Sequence, residues 1–171
     1  MVTQKTVRAL FSYHKGQLYW KLRPLEAFKK YSAYVMWNRR YALKPAGSPN
    51  KRGYIRIGIA KRYYMAHRLI WLYHRGWLPE ALDHKNGNPS DNRMRNLRAA
   101  TQKENRWNSR RRLPTTTNTK GVYKRPSGNY EAHICADFKR VHLGTFERKK
   151  DAIRAVSRAR KALHKEFARH R

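Results

Sequence analysis

Three stretches of this chain have a hydrophobic period that fixes their local structure. Ile55, Ile57 and Ile59 alternate with Tyr54, Arg56 and Gly58, which predicts a hairpin over residues 53–64 with one face in a core. From Met65 the period lengthens, and Leu69, Leu72 and Tyr73 recur at helical spacing, with Gly76 as a stop. That helix is expected to pack on the hairpin. It carries His67, read as a structural or phosphate-contacting residue, and His74, read as solvated. Further on, residues 121–124, 130–134 and 140–146 read as three strands, the first two joined by a turn at 126–129. A helix follows, because Ala152, Ala155, Val156, Ala159, Ala162 and Leu163 form one stripe and Arg148, Lys150, Arg154, Arg158 and Lys161 stay outside it. Residues 1–50 are less patterned. Only Leu18 and Trp20 stand out there, on one face of a strand after the turn at Gly16.

Between the two patterned regions lies 82–108, LDHKNGNPSDNRMRNLRAATQKENRWN. Leu82 to His84 can end a short strand, Asn86-Gly87 and Asn88-Pro89 are turn dipeptides, and Asn96-Leu97-Arg98 can form a return strand. Thr101 and Glu104 stand in a capping-box relation, so a helix is expected from Thr101 with Asn105 in its first turns. Asp83 before His84 is an acid in a chain with 41 Lys and Arg against 10 Asp and Glu. Such a carboxylate repels phosphate unless a divalent cation lies between them. Capping a local amide is the ordinary use of an Asp in a turn-rich loop, and composition alone does not displace that use.

The run D-H, a turn-rich loop, D-N-R-x-x-N-L-R and T-x-x-E-N resembles the HNH endonuclease motif, the strand-strand-helix (ββα) metal finger, in a variant with Asn for the final His. The preceding A-H-R-L-I-W at 66–71 also looks like that family. The resemblance implies Asp83 and Asn105 as metal ligands, His84 as general base and Asn96 as the group that orients it. It further implies one divalent ion per active site. Oxygen ligands of this kind suit Mg2+ or Mn2+ better than a soft metal.

The pattern G-V-Y, then H-L-G-T-F, then an alanine-rich helix resembles the APETALA-type DNA-binding domain. That likeness implies a three-stranded sheet in the major groove. Lys124, Arg125, Tyr130, Lys139 and Arg140 would then be exposed strand residues facing DNA, chemically suited to phosphates and base edges.

Charge narrows the partner. The net charge of +31 exceeds what solubility needs and favours a polyanion, with double-stranded DNA first. Arg93, Arg98, Arg110, Arg111 and Arg112 join the expected DNA contacts. Residues 109–119, SRRRLPTTTNT, cannot bury a face. Their extended reach of roughly 36 Å is close to one turn of duplex, although a solvated connector would look the same. The single Cys135 excludes an intramolecular disulfide or a multi-cysteine zinc site, and no apolar run is long enough for a membrane span. An intracellular protein without a small-molecule substrate is expected.

The expected fold is α+β: a small mixed nuclease domain over 1–108 with its metal finger at about 79–108, a basic linker at 109–119, and a sheet-plus-helix DNA-binding domain over 120–171. The expected activity is hydrolysis of phosphodiester bonds in duplex DNA by a phage- or intron-encoded endonuclease of the homing type. A non-catalytic basic protein, architectural or ribosomal, would also account for the charge and aromatics, and leaves Asp83 unused.

Overall fold

The computed structural model describes residues 2–108, 117–136, 139–164 and 167. Its fold is mixed α+β with five α-helices and several small sheets among these residues. The chain divides into two compact units, Met1–Ala99 and Ala100–Arg171.

In the first unit, α1 (Gln4–Leu10) opens at Thr3, whose side chain accepts from the Thr6 amide, and runs directly into β1 (Phe11–His14). β1 pairs antiparallel with β2 (Gln17–Trp20), and the turn between them puts Gly16 at φ +93°. Leu18 is fully buried and Trp20 packs on the same core, as their shared face requires. α2 (Tyr31–Tyr41) then buries no residue fully, which is why no apolar stripe announces it. β3 (Ser48–Pro49), β4 (Ile55–Ile59) and β5 (Arg62–Met65) form an antiparallel sheet in that order. Ile57 is its buried centre. α3 (Ala66–Arg75) starts where the period changes and ends at Gly76, which takes the left-handed conformation and returns its amide to the Leu72 carbonyl.

Val7, Phe11, Leu18, Ile57, Leu69 and Ile70 meet in one core, to which Leu82 and Leu97 also belong. These last two come from β6 (Ala81–His84) and β7 (Leu97–Ala100), the paired strands on either side of the turn-rich loop. All four residues of β6 are buried, so the two polar residues at its end are carried into the interior by their apolar neighbours. A short strand that buries Asp and His beside Ala and Leu must satisfy both with partners.

The second unit begins with α4 (Gln102–Asn108), followed by β8 (Val122–Lys124), β9 (Tyr130–Ala136), β10 (Lys139–Phe146) and α5 (Lys149–His164). The three strands are antiparallel in the order β10-β9-β8. Val122, Ala132, Ala152 and Val156 form the core between the sheet and α5. Side chains of a strand alternate between faces. The parity of β9 therefore sends Ala132 and Ile134 inward and Glu131, His133 and Cys135 to the opposite face. Gly121 leads into β8 at φ +82°, with its carbonyl accepting from the His133 amide.

Candidate active site

The turn-rich loop after β6 is built from asparagine and aspartate side chains bonding nearby backbone. Gly87, at φ +65°, donates its amide to the His84 carbonyl over 2.7 Å, and Lys85 donates to the Asn96 carbonyl over 2.8 Å. Asn86 Oδ1 accepts from the Asn88 amide, and Asn88 Oδ1 from the Ser90 amide, the side-chain turns that such residues favour. Asp91 accepts from Asn86 Nδ2 at 2.8 Å and is gripped from two sides by Arg93, at 2.7 and 2.6 Å. Those hydrogen bonds hold the Asp91 carboxyl down at about 2.

Two buried polar residues at the end of β6 are served from this frame. Asp83 is 4 % exposed and His84 5 %. Arg98, on β7, donates Nε and Nη2 to Asp83 Oδ2 at 2.8 and 2.7 Å. His84 Nε2 lies 2.9 Å from Oδ1 of Asn92, itself a buried residue. With that oxygen as acceptor, Nε2 is the donor of this hydrogen bond.

Two of the expected site residues make other contacts within the protein. Asn96, expected to orient His84, is engaged elsewhere: its Oδ1 accepts from the Asn86 amide at 3.1 Å, and its Nδ2 donates to the Asp91 carbonyl at 2.7 Å. It shapes the loop, while Asn92 holds the imidazole. The signal for Asn92 was present in the D-N-R run, but choosing between two asparagines four residues apart requires the path of the loop. Arg98, expected to contact DNA, is largely buried on Asp83 instead. A buried acid needs a cation more than the surface of so basic a chain needs another one.

His67 went unrecognised as part of this cluster. Its ring stands edge-on to that of His84 with centroids 5.1 Å apart, and Tyr54 flanks both rings. Burial, with help from His84 and Arg68, pushes its pKa down to about 3, so it is neutral at any ordinary pH. Its Nδ1 is buried without a hydrogen-bond partner.

The expected helix start is also present in the second unit. Thr101 donates its amide to Glu104 Oε2 at 2.8 Å, and Glu104 donates its amide to Thr101 Oγ1 at 3.2 Å, a reciprocal capping box. Asn105 follows on α4, half-buried, with its amide bonded to the Thr101 carbonyl.

Of the residues expected to face DNA, Arg93 is 46 % exposed while it clamps Asp91. Lys124, Arg125, Lys139 and Arg140 are exposed, and the Arg140 guanidinium lies 4.7 Å from the centre of the Tyr123 ring. Tyr130 is a correction. It is paired with Lys124 on the sheet, yet it packs with Leu143 and Phe146 against the core under α5. Its even position on β9 shares the parity of Ala132, and an aromatic ring on that face is drawn to the apolar side. Arg110, Arg111 and Arg112, and most of the 109–119 linker, lie outside the described residues.

Of the two expected metal ligands, Asp83 lies in the first unit with its carboxylate, a donor that suits a hard divalent ion, held by Arg98, and Asn105 lies in the second unit on α4. Among the described residues no helix is long and apolar enough to cross a membrane.

Comparison with known proteins agrees with this chemistry. The HNH endonuclease family model matches residues 64–107, the span from β5 through α3, the β6–β7 pair and most of α4. No solved structure matches the chain. Protein 3.8 of Escherichia phage T7 is 31 % identical over 120 residues, which cover 65 % of this chain and 96 % of that protein. An HNH domain makes the protein a nuclease at the level of its family, with DNA as its substrate. Since the likeness takes in nearly the whole of the phage protein, the chain belongs to the family of T7 protein 3.8, and carries an HNH endonuclease domain within it.

Proposed function

We propose that the protein is a metal-dependent endonuclease of the homing type that hydrolyses phosphodiester bonds in duplex DNA, with Asp83 and His84 at the centre of the reaction. The observation that carries this reading is the buried Asp83-His84 pair, each member held by its own dedicated partner inside the span that matches the HNH family.

Phosphodiester hydrolysis needs an activated water, neutralisation of the charge that builds on phosphorus, and help for the departing 3′ oxygen. A bound Mg2+ or Mn2+ supplies the last two. Asp83 and Asn105 are the ligands in this reading, and both offer the oxygen donors that such ions prefer. Arg98 holds the Asp83 carboxylate in its buried position. His84 takes the proton from water in this reading, with its ring oriented by the hydrogen bond between Nε2 and Asn92. Asn96 and Asp91 act one step further out by fixing the loop that presents Asn92. The second unit supplies DNA affinity in the manner of an APETALA-type sheet, through Lys124, Arg125, Lys139 and Arg140. The hydrogen-bonded loop over 85–96 and the charge of +31 both support a nuclease that holds phosphate without placing an unscreened acid against it.

Supercoiled plasmid incubated with the protein and magnesium is expected to be nicked or linearised, and chelator is expected to stop the reaction. His84→Ala should lose cleavage by about 100-fold or more, the range of general-base catalysis, with plasmid affinity changed only a few-fold. Cleavage by this variant near the parental rate would remove His84 from the mechanism. Binding without cleavage by the parental protein under all metal conditions would leave a purely architectural role.

A further inference from the structure

The outer face of the second unit's sheet holds a group of side chains that the nuclease reading does not use. Glu131 and His133 are two apart on β9 and point away from α5, while His142 on β10 is the direct cross-strand partner of His133. The two imidazole centroids are 4.9 Å apart, and Glu131 Oε2 is 3.4 Å from His133 Nε2. One ligand atom from each of the three residues lies within 4.8 Å of the other two. Around them the face is cationic, with Arg125 and Arg140 exposed on neighbouring positions.

We infer that Glu131, His133 and His142 form a binding site for a late first-row divalent cation, zinc foremost, separate from the nuclease centre. Zinc bonds imidazole nitrogen and carboxylate oxygen at about 2.0–2.2 Å in tetrahedral geometry, which sets its ligand atoms roughly 3.3 Å from one another. The Glu131–His133 pair already has that separation, and rotation of the exposed His142 side chain closes the remainder. Two imidazoles and one carboxylate match zinc, and equally nickel or cobalt, but not magnesium, which calls for an octahedron of oxygens. Two strands of one antiparallel pair provide all three residues, so the register itself spaces them. The bulge between His142 and Gly144 interrupts that register just beyond the site.

A further observation concerns the contacts that hold the carboxylate. Glu131 Oε2 lies against His133 Nε2. Arg125 Nη1 approaches Glu131 from its other oxygen, Oε1, at 3.4 Å. That contact steadies the carboxylate from outside, as supporting partners of metal ligands commonly do. Three protein ligands leave the fourth tetrahedral position for water.

Cobalt(II) is a suitable probe, because its visible absorption distinguishes tetrahedral nitrogen-containing coordination from the octahedral aqua ion. Titrated into the full-length protein without DNA, it should give the tetrahedral spectrum at one ion per chain and be displaced by zinc. His142→Ala, at an exposed position and checked for folding by circular dichroism, should abolish that spectrum. Glu131→Gln should weaken zinc binding by at least about tenfold, which loss of a supporting residue alone can cause. Asp83→Ala should leave the spectrum intact, which separates this site from the nuclease centre. An octahedral spectrum alone, or a tetrahedral one that survives both His142→Ala and Glu131→Gln, would overturn the assignment.

Discussion

The loop after β6 and the outer face of the C-terminal sheet use the same kinds of residue in opposite ways. Around the loop, Asp83, His84, Asn92 and Asn96 are buried, each with a near neighbour as partner, and an arginine is drawn inward to meet an acid. On the sheet, Lys124, Arg125 and Arg140 stay in solvent and a tyrosine ring serves as a support for a guanidinium. Buried polar groups are costly unless paired, so a site assembled from them has one geometry. Exposed cations keep their freedom and sum their effect through the field they create. The first arrangement suits chemistry at a single bond, and the second suits holding a long polyanion.

The contrast can be broken most severely at Arg98. Its replacement by Ala leaves the Asp83 carboxylate buried without this partner and should destabilise the protein by about 3–5 kcal/mol, seen in urea unfolding. If stability held and only DNA affinity fell, Arg98 would belong with the surface cations. Next comes Asn92→Ala, which frees the His84 ring without removing it. Loss of alignment of this size can reduce cleavage by up to about 100-fold. KM should move little and the pH profile of kcat should shift. An unaltered profile with normal turnover would return the orienting role to Asn96.

A smaller effect follows from His67. Its pKa falls from 6.5 in the unfolded chain to about 3 in the folded one, so the unfolded state binds the extra proton between these values. Stability from this group is intact above pH 6.5 and is lost as pH falls toward 3, by up to about 1.4 kcal/mol per pH unit. Denaturation midpoints for His67→Leu should therefore vary less between neutral and mildly acid pH than those of the parent; equal slopes would mean that His67 is not the titrating group. Smallest is the change at Arg140. Removing one phosphate contact should weaken DNA binding a few-fold and flatten the log-log salt dependence by about 0.9. A parental slope steeper than about −5 is expected for so basic a chain, by the same rule. Loss of all binding from Arg140→Ala would show that this face has a few dominant contacts in place of a distributed field.

What was legible in the sequence was local. The Ile55–Ile59 alternation, the helix that stops at Gly76, and the Thr101–Glu104 box all depend on neighbours within a few positions, and all are present. The Asp83-His84 pair was conspicuous because acids are scarce. α2 was not legible, since a helix with no fully buried residue has no stripe to betray it. The contacts within the site were not legible for a related reason. Charge counting sends every arginine to the surface, whereas Arg98 answers an acid fifteen residues away in the chain. Tyr130 was placed by its chemistry and not by strand parity, and parity decides which face a residue occupies.

Gly121 shows how a single missing side chain can constrain the history of a protein. A β-carbon there would run into the carbonyl oxygen of His133, at a backbone φ that other residues rarely adopt. Gly128 has a similar φ but nothing within 4 Å, so a substitution at that turn meets only its own backbone preference. Sequence drift is therefore expected to pass through position 128 in asparagine-like steps while position 121 stays fixed. Any lineage that altered residue 121 would have to separate β8 from β9, and with them the face on which His133 stands.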